Sequence, residues 1–301
     1  MAFQSKHPQL FLATGVKFML LSALSFAFMS ACVKYVSING IPIFEIVAAR
    51  ACVSLFISYF DVKRKRIPIF GKNKKLLAAR GIAGTLALIS LYYAVATLPL
   101  AEATVLQYTH PIFTILLSCF FLNEKISRST LISVLLSILG LLVIIKSQVT
   151  NVTNLGPLPS LSIAVALFGA LTSSIAYILV KKLSNTEDTS VIIFYFPMIA
   201  LPVSLIMINN SFVIPSFHLF FILILLGIFT QIGQYSLTRA MKIEQASRVS
   251  LYSYVQIVFS MLIGIAFFQE SPSLWTLVGG SLIILGVFIN AIGSKTIEFN
   301  K

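Results

Sequence analysis

Apolar runs of about 20 residues recur at even spacing along the whole chain, and they restrict its fold more than any other feature. A helix needs roughly 20 apolar residues to cross a membrane. Only 10% of the 301 residues are charged, against about 25% in soluble domains, so a water-facing surface of ordinary size cannot be built. We predict an all-α polytopic membrane protein with ten transmembrane helices, at residues 18–37, 41–60, 76–98, 100–122, 129–147, 159–182, 190–208, 217–240, 246–268 and 274–293.

Lysine and arginine collect in alternate loops. The loop after the second predicted helix, "DVKRKRIPIFGKNKK", holds seven of them, and the loop after the fourth holds Lys125 and Arg128. The opposite loops offer Lys146 and little else. Because cytoplasmic loops are enriched in positive residues, both termini are predicted to be cytoplasmic. The net charge of +13 then reports membrane topology, and no nucleic-acid partner is expected.

The chain also contains an internal repeat. A shift of 146 residues without a gap pairs Tyr108 with Tyr254 and Glu124 with Glu270. The two predicted repeats cover residues 1–148, with helices 1–5, and 156–295, with helices 6–10. Since five is an odd number, the second repeat should enter the membrane inverted. Inverted repeats are common in secondary transporters, which bind their substrate near the midplane between the two halves.

Three stretches resemble the EamA-type drug/metabolite transporter superfamily: "LYYAVATLPLAEATVLQYTHPIFTILLSCFFLNEKIS", "YSLTRAMKIEQASRVSLYSYVQIVFSMLIGIAFFQE" and "IPIFEIVAAR". The resemblance covers essentially the whole chain. It implies a ten-helix transporter whose central cavity is lined chiefly by helices 1, 3, 4, 6, 8 and 9. Relatives of this type move amino acids, nucleosides, S-adenosylmethionine and amphipathic compounds. One departure is Ile257, which stands in the second repeat where the first has Pro111, so the two halves need not bend alike.

Polar residues recur at three- and four-residue steps on several predicted helices, and therefore share helix faces. Polar groups in lipid need partners or water, so these faces should point inward. The candidate cavity residues are Gln107, Tyr108, His110, Thr114, Tyr92, Tyr177, Gln231, Gln234, Tyr235, Tyr254 and Gln256. Two other interpretations stay open: hydrogen bonds that only join helices, and, for tyrosines, the interfacial aromatic belt.

Three residues have a cost in lipid that calls for an explanation. Arg50 lies deep in the second predicted helix and must face protein, cavity or ligand, which leaves structural anchoring and anion contact both open. Pro111 removes a backbone hydrogen bond and is predicted to be a conformational element that lines a cavity. His110 is a candidate for carrying a coupling proton, because its unperturbed pKa is about 6.5.

The sequence therefore favours a secondary transporter over other classes. It has no His-Glu-x-x-His motif, no midplane carboxylate pair and no P-loop, so we expect no catalytic residue, no metal site and no cofactor. The expected partners are a small-molecule substrate and the lipid bilayer, while a homodimer stays open. Plentiful Ile, Lys, Asn and Phe suggest an AT-rich bacterial genome and an inner (plasma) membrane location. An exporter, a channel and an intramembrane enzyme remain as alternatives.

Overall fold

A computed structural model describes residues 14–98, 106–149, 160–208, 212–269 and 273–298, and all the regular structure in these ranges is helical. In lipid, a helix satisfies every backbone group within its own segment. The helices are α1 (Thr14–Ile38), α2 (Ile43–Arg64), α3 (Lys74–Thr97), α4 (His110–Leu122), α5 (Arg128–Val149), α6 (Ser160–Leu183), α7 (Thr189–Ile208), α8 (Phe217–Ile243), α9 (Ala246–Phe268) and α10 (Leu274–Glu298).

Eight of these helices are long and apolar enough to cross a membrane. The other two, α4 and α5, contain shorter apolar stretches, His110–Leu122 and Arg128–Ile144. A multi-pass membrane fold is therefore established, and crossing by α4 and α5 stays a prediction. The first predicted residues of the fourth span, 100–105, lie outside the described residues.

The contacts between helices follow the repeat. Helix α1 packs on α8 and α9, and the corresponding helix of the other half, α6, packs on α3 and α4. Helix α2 packs on α7, and α5 packs on α10. If each helix n is exchanged with helix n+5, this list of contacts maps onto itself. The helix ends agree, because α4 and α9 both end at left-handed residues, Asn123 (φ 53°) and Gln269 (φ 54°), which the 146-residue shift pairs.

The two halves approach each other closely at α5 and α10, where glycines remove side chains. A methyl group added to Gly140 on α5 would lie 2.5 Å from the carbonyl oxygen of Gly279 on α10. Gly286 of α10 faces the backbone of Ser133 in the same way, at 3.0 Å. Small residues at such spacing let backbones pack directly on each other. The α5–α10 pair is thus a tightly packed part of the scaffold.

The predicted fourth span, 100–122, placed Pro111 in the middle of a helix. In the structure Pro111 does not interrupt a helix. Tyr108 and Thr109 form a turn, and Pro111 lies in the first turn of α4, where a missing N–H costs nothing. Helix α9 changes to a 3₁₀ turn at Tyr252–Tyr254, which corresponds to residues 106–108. The two departures from regular α-helix overlap at the matched pair Tyr108 and Tyr254, although the second half has Ile257 in place of proline.

One end of the bundle is held by hydrogen bonds between the two halves. We call it the basic end, because it carries the Lys- and Arg-rich loops that follow α2, α4, α6 and α8. Lys65 Nζ contacts the carboxylates of Asp61 at 2.8 Å and Asp188 at 3.0 Å, and the Ser190 hydroxyl donates to Asp61. The Glu187 carboxylate accepts from the backbone N–H groups of Asn73 and Lys72, just before α3, at 2.6 and 2.8 Å.

Two of these charged groups lie outside the helices and titrate abnormally. Partial burial raises the pKa of Asp188, but hydrogen bonds from the Ser190 N–H and the Lys65 ammonium outweigh it and leave that pKa below its usual range. Burial lowers the pKa of Lys65, but the two carboxylates outweigh it and the pKa is raised. Both shifts favour the charged forms, so the ion pair persists at neutral pH.

Glu124 joins the halves at the same end. Its carboxylate accepts from the Ala246 and Ser247 N–H groups at 2.7 and 3.0 Å and from the Ser247 hydroxyl at 2.7 Å. An anion at the positive end of a helix is stabilised by the unpaired N–H groups there. These contacts make Glu124 an anchor for the loop that follows α4. Its counterpart in the repeat, Glu270, lies outside the described residues.

Candidate functional site

A cavity of about 190 Å³ lies inside the bundle. Helices α2 and α3 and residue Gln107, just before α4, line it on one side, and α6, α7 and α8 line it on the other. Apolar residues, chiefly leucines and alanines, form just over half of its lining. Its polar lining residues are Arg50, Arg80, Gln107, Ser173, Tyr177 and Gln234. The described residues that line it include no aspartate or glutamate. The cavity is therefore small, mainly apolar and positively charged at two points.

Arg80 is the most deeply buried of these polar groups, with 4% of its surface exposed. Its Nη2 donates to Gln234 Oε1 at 3.1 Å, which joins α3 to α8 across the cavity. Its Nε and Nη1 are buried without a hydrogen-bond partner. Its guanidinium carbon lies 4.9 Å from the centre of the Phe196 ring. Arg80 thus has a fixed position and two unused donors.

Arg50 reaches the same ring from α2, with its guanidinium carbon 5.5 Å from the centre of Phe196. Its Nη1 contacts the Met29 sulfur at 3.7 Å, a weak acceptor. The side chain is partly exposed rather than sealed in packing. The sequence required Arg50 to face protein, cavity or ligand. In the structure it lines the cavity wall beside a second arginine, Arg80.

Four aromatic side chains of the candidate set pack together next to the cavity. The Tyr108 and Tyr254 rings stack with their centres 6.0 Å apart, and the Tyr254 hydroxyl donates to the Tyr108 carbonyl at 2.9 Å. The His110 ring lies 5.3 Å from Tyr177 and 6.3 Å from Tyr108. The stacked tyrosines are the pair matched by the 146-residue shift. They meet where the two halves join, and only Tyr177 of the four lines the cavity.

Three other candidates lie away from the cavity lining. Thr114 is fully buried and donates to the His110 carbonyl at 2.9 Å, so its hydroxyl is satisfied within its own helix. Tyr92 lines a separate small pocket with Phe44, and their ring centres are 6.3 Å apart. Gln256 is half-buried on α9 and does not line the cavity.

Gln231 and Tyr235 of α8 face a different space from Gln234. Both line an open groove between α1, α2 and α8, near the basic end. Gln231 donates to the Ser58 hydroxyl at 2.9 Å, and the Tyr235 ring lies under the Lys65 ammonium at 5.9 Å. Residues three apart point about 60° apart on a helix, so one glutamine faces the cavity and the other faces α2.

The structure thus brings Gln107, Tyr177, Gln234 and Arg50 together and adds Arg80, which the sequence reasoning missed. Arg80 lies six residues inside α3, where a long cation can also reach the membrane surface. A signal was available in Gly84, four residues later on the same face. A methyl group there would lie 3.1 Å from Arg80 Nη1 and 2.9 Å from the Phe196 ring, so this glycine makes room for the guanidinium.

Comparison with known proteins agrees with this architecture. The model of the EamA-like transporter family matches the chain twice, at residues 13–146 and 160–292. The pseudopaline exporter CntI of Pseudomonas aeruginosa is 32% identical over 275 residues, covering 91% of this chain and 94% of that protein. Solute carrier family 35 member G1 of Mus musculus is 30% identical over 285 residues, covering 90% of this chain and 76% of its own.

More distant similarity extends to a protein of Helicobacter pylori named as an uncharacterized transporter, 29% identical over 95% of this chain and 97% of its own. A solved crystal structure superposes with a TM-score of 0.80, covering 94% of this chain and 99% of that chain at 17% identity. That likeness shows the fold alone. With the two family matches and the whole-length relatives, the chain belongs to the EamA-like transporter family and is a membrane transporter, not an enzyme.

Proposed function

We propose that this transporter is a secondary carrier that moves a small organic metabolite across a bacterial inner (plasma) membrane by alternating access. The proposed substrates are amino-acid-, nucleoside- or S-adenosylmethionine-like molecules. The observation that carries the proposal is a cavity lined by helices of both halves, inside a bundle whose helix contacts map onto themselves when the halves are exchanged. Two inverted halves can exchange conformations at similar energy, which is the physical basis of alternating access.

We place the domain boundaries at 1–148 and 156–295, with the second half inverted and ten crossings. The double family match, at 13–146 and 160–292, supports this division. The loops at the basic end carry most of the positive charge, which supports cytoplasmic termini. In this conformation the Lys65–Asp188 and Glu187 contacts hold the basic end together. A carrier that opens to the cytoplasm would have to break them.

Export is a second candidate direction, and one observation favours it: a relative that matches nearly the whole chain is named an exporter. Direction depends on gradients as well as on the protein. Counterflow, the acceleration of labelled uptake by unlabelled substrate preloaded inside the vesicle, reports exchange in either direction. It therefore tests the carrier mechanism before the direction of transport is known.

The test is uptake into proteoliposomes of labelled S-adenosylmethionine, aromatic and small amino acids, and purine nucleosides, with protein-free vesicles as the control. We expect saturable uptake of at least one compound, accelerated when the same unlabelled compound is preloaded. Gln234→Ala should reduce uptake, whereas Gln231→Ala, one helical turn away and outside the cavity, should retain most of it. Flux that neither saturates nor responds to preloading would indicate a channel instead.

A further inference from the structure

The cavity holds two arginines that no carboxylate of the described residues contacts. Arg80 is buried with two unpartnered nitrogens, and Arg50 contacts a thioether sulfur as its acceptor. The described cavity lining contains no carboxylate. The carboxylates whose contacts the structure describes lie near helix ends, as does Glu45, which accepts from the Val213 N–H at 3.0 Å. A buried cation without a counter-charge is costly, so this arrangement needs a ligand to explain it.

The Phe196 ring does not supply that counter-charge. A ring face attracts a cation by about 0.5–2 kcal/mol, which is small beside the cost of burying a guanidinium without an anion. The ring instead gives both guanidinium groups a common support, at 4.9 and 5.5 Å. Two planar donor groups on one cavity wall match the geometry of an oxyanion, since guanidinium binds carboxylates through paired N–H donors.

We propose that Arg50 and Arg80 bind the carboxylate of the transported molecule, an inference that rests on the proposed transport function. It narrows the substrate class to metabolites with a free carboxylate, such as amino-acid- and S-adenosylmethionine-like molecules, and disfavours simple nucleosides. Gln107 and Tyr177 are available for other polar groups, and the leucines of α3 contact the apolar body of the molecule.

Gln234 is a positioning residue in this site. Its side-chain oxygen holds Arg80 Nη2 at 3.1 Å, which leaves Nε and Nη1 to donate to the ligand. An amide oxygen orients the guanidinium without neutralising it, whereas a carboxylate at that position would do both. The chain thus provides a substitution, Gln234→Glu, that should occupy the site with a built-in anion.

The first measurement is the thermal stability of the purified full-length protein with matched pairs of probes: L-phenylalanine with L-phenylalaninamide, L-leucine with L-leucinamide, and S-adenosylmethionine with adenosine. We expect at least one carboxylate to raise the melting temperature while its counterpart without a carboxylate does not. Arg80→Gln should weaken that affinity by roughly 30-fold or more, because it removes one partner of a buried charged pair. Equal effects of both members of every pair, or no effect of any carboxylate, would overturn the proposal.

The second measurement needs no ligand and keeps the test valid if Arg80→Gln misfolds. Gln234→Glu should raise the melting temperature of the ligand-free protein and abolish the carboxylate-dependent shift. The matched control is Gln231→Glu on the same helix, which buries a carboxylate beside Ser58 instead of an arginine and should lower the melting temperature. If both variants are destabilised alike, Arg80 has no need of an anion and the inference is wrong.

These outcomes separate the inference from the proposed function. Carboxylate-dependent stabilisation without saturable flux would support the anion site and contradict the proposed carrier mechanism. The opposite result would be saturable flux of a neutral compound, accelerated by preloading and equally fast in the Arg80→Gln variant. It would support the carrier mechanism and contradict the anion site.

Discussion

Replacing Gly279 by alanine adds one methyl group at the closest approach of α5 and α10. That methyl would overlap the carbonyl oxygen of Gly140 and lie 2.6 Å from Cγ1 of Ile144. A backbone atom cannot move aside without moving its helix, so relief requires the two helices to separate. The α5–α10 pair joins the two halves, and the strain therefore falls on the whole bundle.

Magnitudes follow from the two opposing effects of the substitution. Overpacking costs typically about 1–3 kcal/mol, and a backbone obstacle places Gly279→Ala near the upper value. Alanine regains about 1 kcal/mol of helix propensity over glycine, which leaves a net loss of about 2 kcal/mol. At roughly 2–4 °C per kcal/mol for a chain of this size class, the melting temperature should fall by roughly 4–8 °C.

The neighbouring glycine provides the control. A methyl group at Gly280 would meet only the end of the Met261 side chain, at 3.7 Å, which is ordinary contact. Gly280→Ala should therefore keep the propensity gain and raise the melting temperature by roughly 2–4 °C. Thermal unfolding of both variants in one detergent, followed by circular dichroism, tests the difference in sign. The reasoning fails if the two variants shift in the same direction, or if Gly279→Ala is neutral.

Three further effects follow from single contacts. Glu124→Gln weakens the bonds to the first N–H groups of α9 and should cost about 1.5–3 kcal/mol, measured by thermal unfolding. Asp188 has a lowered pKa, so its stabilising effect is present above the ordinary carboxyl pKa of about 4 and is lost as pH falls through the lowered value. The melting temperature of the protein should therefore drop on acidification, and it should drop less in the Asp188→Asn variant. Tyr254→Phe removes one hydrogen bond and should cost about 1 kcal/mol, whereas Tyr254→Ala also leaves a cavity and should cost about 3–5 kcal/mol.

Much of the fold could be predicted because lipid leaves few choices. Apolar runs of spanning length must be helices, and eight of the ten predicted spans are helices of that kind. The 146-residue register paired Tyr108 with Tyr254, and the two rings stack. It also paired Asn123 with Gln269, and both end their helices in the left-handed conformation. A repeat carries information about tertiary contacts because equivalent positions meet where the halves join.

The break in α9 could not be predicted in the same way. Proline at position 111 marks the start of α4 by its covalent structure, but Ile257 gives no such signal. The 3₁₀ turn at Tyr252–Tyr254 coincides with the contact that places the Tyr254 hydroxyl on the Tyr108 carbonyl. That carbonyl is available because the first half turns at the same place. The geometry of one half therefore depends on the other, and local sequence cannot report it.

The cavity residues were predicted incompletely for a related reason. Periodicity identifies polar faces on a helix, but it does not say which neighbour each face meets. Gln231 and Gln234 differ by three positions, yet one donates to Ser58 and the other accepts from Arg80. Only the tertiary structure separates them, because it places Ser58 of α2 beside Gln231 and Arg80 of α3 beside Gln234. Comparing the same substitution at the two glutamines therefore measures what the cavity contributes, since helix, residue type and depth are nearly the same and the facing partner is what differs.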